Sequence, residues 1–238
     1  MSVKLGLPSK GRLQDKAIDW FAARGIHVNR SGSGREYAGR VEGIDNVELV
    51  LLSAGEIPRE LAAGRIHLGL TGQDLVREKI PGWSDRVVEM VETGFGFADL
   101  VLAVPSAWVD VDGLDDFDAV AASFRERHGF RLRIATKYHV LTREFLRRHG
   151  VADYQLVDSQ GATEGTVKNL TAEAICDITS SGETLSANHL KILRDGLILR
   201  SQATLFAARG ADWTGAAEDA RQALAERLGT EIPVGPYA

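Results

Sequence analysis

Residues 93–105 read TGFGFADLVLAVP. Gly94 and Gly96 interrupt a strand pattern, a long apolar strand follows, and Pro105 closes it. Glycine admits backbone conformations that other residues resist, so a glycine pair ahead of a fresh strand suits a hinge where the chain leaves one lobe for another. The run LKILRDGLILRSQATLFAA, residues 190–208, then reads as the return crossing. Two crossings predict two α/β lobes arranged as a clamshell, with ligands in the cleft. On this reading lobe I takes residues 1–101 and 187–209, lobe II takes 102–186, and 210–238 form a separate amphipathic helix (TGAAEDARQALAERLG, 214–229) with a tail.

Either side of the hinge, short apolar runs alternate with helical patterns. The runs are VKLGL (3–7), VELVLL (47–52), IHLGL (66–70), VVEMV (87–91), LVLAV (100–104), LRIA (132–135), YQLV (154–157) and AICDI (174–178). Between them lie GRLQDKAIDWFAARG, EIPRELAAG, TGQDLVREK, FDAVAASFRERHG, KYHVLTREFLRRHG and TEGTVKNLTAE, whose apolar residues recur at helical spacing and several of which end on glycine. Strands alternating with helices predict an α/β architecture with mixed, largely parallel sheets. Ser53-x-x-Glu56 and Thr71-x-x-Asp74 have the form of capping boxes.

Composition narrows the function. Of 238 residues, 44% are hydrophobic and 26% charged, as in ordinary globular chains. A net charge of −5 argues against nucleic-acid binding through overall charge, so an anionic ligand needs a local basic cluster or a divalent cation. Cys176 stands alone, which rules out an internal disulfide and suits a reducing compartment. The N-terminus MSVKLGLPSKGRL has no signal-peptide run and no window has the length of a membrane span, so a cytoplasmic protein is expected. The six histidines show no metal-site spacing.

Four strand ends carry residues suited to an anionic ligand. CDITSSGETL (176–185) ends a strand on Asp177 and continues through small or hydroxylated residues into a helix start. Helix N-termini expose unpaired N–H groups, Gly182 permits close approach and hydroxyls add donors, which together suit a phosphate. Ser180-x-x-Glu183 is equally a capping box. LPSKGRL (7–13) brings Lys10, Gly11 and Arg12 to a helix start, either as a solvated cap or as a cation pair for a ligand. LGLTGQDL (68–75) places Thr71, Gly72 and Asp74 at a turn, as a cap or facing the cleft. ATKYHVLTREF (135–145) offers Thr136, Lys137 and Tyr138; Lys137 can neutralise a phosphate, His139 reads as a surface or cap residue, and Arg143 as packing along the helix.

In order and spacing, LPSKGRL, EIPRELAAGRIHLGLTGQDLV (56–76), GFGFADLVLAVP (94–105), IATKYHVLTREF (134–145) and AEAICDITSSGETLSANHL (172–190) resemble the ATP phosphoribosyltransferases. The resemblance runs from about residue 3 to residue 209. It implies a two-lobed fold similar to type II periplasmic binding proteins. It also implies a reaction: ATP and phosphoribosyl pyrophosphate (PRPP) give phosphoribosyl-ATP and pyrophosphate with Mg²⁺, the first step of histidine biosynthesis. By matching position, Asp177 holds the ribose hydroxyls of PRPP, and Thr179, Ser180, Ser181, Gly182, Glu183 and Thr184 cradle its 5′-phosphate. Lys10, Gly11, Arg12, Thr71, Gly72, Asp74 and Lys137 contact ATP or the pyrophosphate. Asp177, Lys10 and Arg12 are the residues expected to carry catalysis.

The chain departs from the family pattern in places. Ser181 replaces a threonine, and Glu183 stands where a small residue is common, so only its N–H is assigned to the phosphate. Ser53 and Gly55 occupy a segment where the family often has an arginine, and Asp99 replaces another cation. Those contacts fall to Arg35, Arg40 or Lys137. About thirty residues follow Arg209, too few for the regulatory domain of the family's long form. The resemblance therefore implies the short form, a homodimer or larger assembly with a regulatory subunit similar to histidyl-tRNA synthetase. The competing readings are a non-catalytic clamshell for a small anion, and a salvage phosphoribosyltransferase, which has two adjacent acids where Cys176-Asp177 supplies one.

Overall fold

The computed structural model describes residues 2–30 and 38–233. The chain divides into two compact units, Met1–Gly96 with Gln202–Ala238, and Phe97–Ser201. The division keeps every strand whole, so its boundaries lie at 96/97 and 201/202, where the sequence reading places them at 101/102 and 186/187.

The first unit opens with β1 (Val3–Pro8), α1 (Arg12–Ala22), β2 (His27–Arg30), β3 (Ala38–Glu42), β4 (Val47–Leu52), α2 (Ile57–Ala62), β5 (Leu68–Gly72), α3 (Gln73–Lys79) and β6 (Val87–Glu92). The second holds β7 (Asp99–Pro105), α4 (Leu114–His128), β8 (Leu132–Thr136), α5 (His139–Arg148), β9 (Tyr154–Asp158), α6 (Gly165–Lys168), β10 (Ala174–Thr179), α7 (Glu183–Ala187) and β11 (Leu190–Leu199). The chain then returns to the first unit as β12 (Ala203–Ala208) and α8 (Ala216–Leu228).

In unit 1 the sheet order is β2-β3-β4-β1-β5-β12-β6. β1 runs parallel to β4 and β5, and β12 is inserted antiparallel between β5 and β6. All six residues of β12 are buried, which its apolar sequence ATLFAA permits on both faces. One face carries Leu5, Leu49, Leu205, the Ala17, Trp20 and Phe21 stripe of α1, and Ala217, Ala220, Leu224 and Leu228 of α8. The 214–229 helix thus completes the core of its own unit. The opposite face packs Phe206 and Ala208 against Ile57, Leu61 and Val76 of α2 and α3.

In unit 2 the order is β11-β7-β10-β8-β9, with β10, β8 and β9 mutually parallel and β7 antiparallel to both its neighbours. Alternate residues of β7 serve opposite faces: Leu102 and Val104 join Phe117, Ile134 and Phe145, while Val101 and Ala103 join Ala135, Ile175 and Leu185. Both faces are covered, as parallel strands require.

The run 190–208 is two strands in two sheets, broken at Arg200–Gln202. Gly94 and Gly96 both hold positive φ, 77° and 66°, and a Cβ on Gly96 would stand 3.1 Å from that of Ala203, so the glycines suit the crossing on conformational and steric grounds. Among the described residues no helix is long and apolar enough to cross a membrane.

Gly196 sits where β11 changes register against β7, and a Cβ there would meet the Leu102 carbonyl oxygen and Leu193 Cβ, each at 2.9 Å. A backbone oxygen within a sheet cannot retreat as a side chain can. Gly196→Ala is expected to destabilise unit 2 by about 1–3 kcal/mol, read as a lower urea midpoint at unchanged slope; an unchanged midpoint would show that the strand yields.

Candidate functional site

The parallel strands of unit 2 all end at one edge. Pairing sets Cys176 level with Thr136, and Thr136 level with Asp158. The next residues are Lys137 and Ser159, which leave the sheet where β8 and β9 end, and Asp177, which stays in β10 and pairs with Val101 of β7; α/β proteins hold ligands at this edge. Lys137 Nζ lies 3.9 Å from Asp177 Oδ1, and both side chains are partly buried. Asp177 Oδ1 also accepts the Ile178 N–H at 2.8 Å. Two residues that sequence reasoning assigned to different substrates thus share one corner.

The loop beyond Asp177 is held from within. Thr179 Oγ1 accepts the Gly182 N–H at 2.8 Å, and Gly182 takes the left-handed conformation, φ 77°, at the head of α7. The Ser180-x-x-Glu183 capping box does not form: Gly182 is the N-cap and no side chain caps the helix. Ser180, Ser181, Glu183 and Thr184 are exposed, leaving three hydroxyls at the surface. Asp99 pairs with Thr179 across β7, so a carboxylate stands on the strand beside this loop.

A neighbouring segment escaped sequence reasoning. His139 Nε2 lies 3.1 Å from Asp158 Oδ1, and the Gln160 amide donates to both Asp158 oxygens. Gln160 and then His139 hold the Asp158 carboxyl below its ordinary value. Ser159 Oγ donates to Thr163 Oγ1 at 3.0 Å, and Ala162 adopts a positive φ of 48°. The only signal in VDSQGATEG was its place after a strand; it has neither a basic residue nor a cap pattern.

Unit 1 repeats the arrangement. Pro8 is level with Leu52, and the Ser9 N–H donates to the Leu52 carbonyl at 2.7 Å. Lys10, Gly11 and Arg12 follow, all exposed, with Gly11 at φ 77° opening α1. Thr71 is fully buried and donates its hydroxyl to the Ala54 carbonyl at 2.9 Å. It pins the 53–56 turn and does not cap α3, whose N-cap is Gly72. The Thr71-x-x-Asp74 box is therefore replaced by a tertiary bond. Asp74 is 4% exposed. At the 53–56 turn the Ser53 N–H donates to Glu56 Oε2 at 2.8 Å, and bonding to Ser53 holds the Glu56 carboxyl below its ordinary value.

A further cation lies beside the 53–56 turn. Lys79, at the end of α3, places Nζ 3.5 Å from where a Cβ on Gly55 would be. A glycine in the turn leaves room for an amine that arrives from another helix. Arg35 and the side chain of Arg40 lie outside the described residues.

Two α/β units, each presenting loops at the carboxyl ends of parallel strands, and one carrying Asp177 before a hydroxylated loop, define a ligand-binding α/β protein of the kind that handles phosphorylated substrates. The ATP phosphoribosyltransferase (HisG) family model matches residues 53–230. An ATP phosphoribosyltransferase of Cereibacter sphaeroides is 68% identical over 98% of both chains, and one of Rhodopseudomonas palustris strain BisB18 is 50% identical over 98% of this chain and 72% of its own. Among solved structures, an ATP phosphoribosyltransferase HisG:HisZ complex of Thermotoga maritima contains a chain that superposes with TM-score 0.71 at 21% identity, covering 95% of this chain and 96% of that one. The GluR0 ligand-binding core with L-glutamate superposes at TM-score 0.52 and 10% identity, covering 96% and 94%.

The chain belongs to the ATP phosphoribosyltransferase family. It is a pentosyl-transferring enzyme of the first step of histidine biosynthesis, and the non-catalytic reading is set aside.

Cys176 stands beside Asp177 yet is fully buried, and burial pushes its thiol up to about 12. A thiol cannot act as a nucleophile there near neutral pH. Ellman's reagent is expected to leave the native protein unlabelled at pH 8 and to label one thiol after unfolding in guanidinium; rapid native labelling would contradict the burial.

Proposed function

We propose that the chain transfers the phosphoribosyl group of PRPP to N1 of ATP through the edge residues of its two sheets. The observation that supports this most is the Lys137–Asp177 pair at the head of the hydroxylated loop. Asp177 accepts hydrogen bonds from the ribose hydroxyls. The hydroxyls of Ser180, Ser181 and Thr184 donate to the 5′-phosphate, with N–H groups of the 179–184 loop, and Gly182 keeps the loop free of bulk. Glu183 contributes its N–H, its carboxylate turned away from the phosphate. Lys137 stands close enough to Asp177 to balance charge on ATP or on the pyrophosphate.

In unit 1, Lys10 and Arg12 supply exposed positive charge, with Gly11, Gly72 and Asp74 shaping the turns around ATP. The Thr71 hydroxyl is already committed to Ala54, so its part is to position the turn. The N1 lone pair forms the new bond to C1 of the ribose as the C1–O bond to pyrophosphate breaks, with inversion at C1. No base is needed for attack, and the barrier lies in charge separation, which cations and alignment lower. The adenine then loses the proton on N6.

Mg²⁺ is the expected cofactor. Among the described residues no three His, Cys, Asp or Glu side chains gather into a metal cage. A divalent ion, when bound, would offset charge on the pyrophosphate leaving group. The enzyme acts in the cytoplasm, as a homodimer or larger assembly with a subunit similar to histidyl-tRNA synthetase. The fold shared with a chain of the HisG:HisZ complex supports that partner.

Asp177→Ala is expected to lower kcat/KM for PRPP by about 10–100-fold, the loss of hydrogen bonds to a charged acceptor. Phosphoribosyl-ATP formation followed by ultraviolet absorbance, with and without the partner subunit, measures it. Wild-type turnover with an unimpaired variant would remove Asp177 from the site. Lys79→Ala is expected to raise KM for ATP about 3–10-fold with kcat little changed, one surface cation on a phosphate. Adding Gly55→Arg should recover part of that loss, and an unaltered KM in Lys79→Ala would remove Lys79 from the ATP contacts.

A further inference from the structure

Unit 2 carries a concave surface along the C-terminal half of α5. Between the last turns of that helix and the first residues of the edge strand β9 lies an open groove of about 550 Å³. Arg131, Arg143 and Arg147 line it, with Tyr154, Gln155 and Leu156 from β9 and the turn at 150–152, and no acidic residue lines it. Arg143 was expected to pack along its helix; it is exposed instead and borders this groove.

Arg143 and Arg147 are one turn apart on α5, so their like charges share a face. Three other arginines of this unit are paired with acids, Arg133 with Glu173, Arg125 with Asp153 and Arg194 with Asp112, while Arg127 and Arg148 bond backbone carbonyls. The three groove arginines have no acidic partner among the described residues, in a chain whose net charge is −5. Isolated solvated arginines are ordinary; here three line one groove together with a half-buried tyrosine and no acid. Burial pushes the Tyr154 phenol above its ordinary value, and the positive charges of Arg143 and then Arg131 oppose that rise.

A guanidinium presents a planar fork of N–H donors that matches phosphate oxygens two at a time. The Tyr154 hydroxyl and Gln155 amide add polar contacts, and Leu156 with Val151 adds apolar surface. The volume falls within the range of small-molecule sites.

We propose that this groove is a second ligand site, separate from the transfer site, and that it takes a small metabolite bearing a polyphosphate. Along α5, Arg143 and Arg147 stand about 6 and 12 Å from His139, away from the helix start beside Asp158. Occupancy of the groove therefore need not displace PRPP from the Asp177 loop.

The test titrates inorganic tripolyphosphate calorimetrically into the full chain, with citrate as a non-phosphate polyanion. Arg143→Ala/Arg147→Ala, both exposed and outside the transfer site, is expected to fold normally and to form phosphoribosyl-ATP at saturating substrates within about twofold of wild type. It should lose a component of tripolyphosphate binding that wild type shows, weakened at least about tenfold. Arg143→Lys/Arg147→Lys should also weaken it, because lysine keeps the charge but not the fork. Equal isotherms for wild type and the alanine pair would overturn the proposal. So would full affinity in the lysine pair, or citrate binding as tightly as tripolyphosphate, since either would mean charge accumulation without phosphate recognition. If the alanine pair instead weakens only association with the histidyl-tRNA-synthetase-like subunit, the groove is a protein-docking surface and the small-ligand reading falls.

Discussion

Parallel pairing of β8 with β10, which sets Thr136 level with Cys176, is the constraint on which the chemistry of unit 2 depends. Side chains alternate across a sheet, and a slip of one residue would exchange the two faces of a strand. The register is fixed because both faces are apolar and filled: Ile134, Ala174 and Cys176 point into one core, Ala135 and Ile175 into the other. Lys137 follows the last residue of β8, and Asp177 stands one step past the β8–β10 pairing, where β10 runs on to Thr179 against β7; the register brings the two side by side. The Lys137–Asp177 corner is thus set by the hydrophobic pattern beneath it.

The pairing at that corner is loose. At 3.9 Å, with side chains 34% and 18% exposed, Lys137 and Asp177 attract, but solvent screening and side-chain entropy leave a net contribution of about 1 kcal/mol or less. A weak pair keeps each charge in place without satisfying it. A ribose hydroxyl or a phosphate oxygen can replace either partner at small cost, whereas a tight bidentate bridge such as Arg133–Glu173 would compete with substrate. The loop beside it works similarly: the Thr179 bond to the Gly182 N–H fixes its shape while Ser180, Ser181 and Thr184 stay exposed.

Much of the fold was legible because its strands are short apolar runs; VELVLL coincides with β4 from Val47 to Leu52. The strands β2 and β3 were not read, since HVNR and AGRVE alternate weakly and pair at the sheet edge. The run 190–208 hid two strands because Arg200, Ser201 and Gln202 carry neither glycine nor proline to mark the break. None of the three capping boxes caps a helix: the Ala54 carbonyl takes the Thr71 hydroxyl, Gly182 occupies the cap position ahead of Glu183, and Glu56, not Ser53, heads α2 while its carboxylate takes the Ser53 N–H. At the site, the order of motifs pointed to Asp177 and its loop. Lys79 was invisible, because its approach to Gly55 comes from packing of α2 and α3 on one face of the sheet.

The second unit is one uninterrupted stretch of chain, and its two ends are hydrogen-bonded to each other, Ala98 N–H to the Ser201 carbonyl at 2.8 Å. The broken ends of the first unit are also adjacent, with the Ala203 N–H bonded to the Phe95 carbonyl at 3.0 Å. The topology is that of a guest segment spliced into a host. A splice with neighbouring ends is modular: a short linker from Gly96 to Gln202 closes the host, and residues 97–201 can be carried to another scaffold as a cassette.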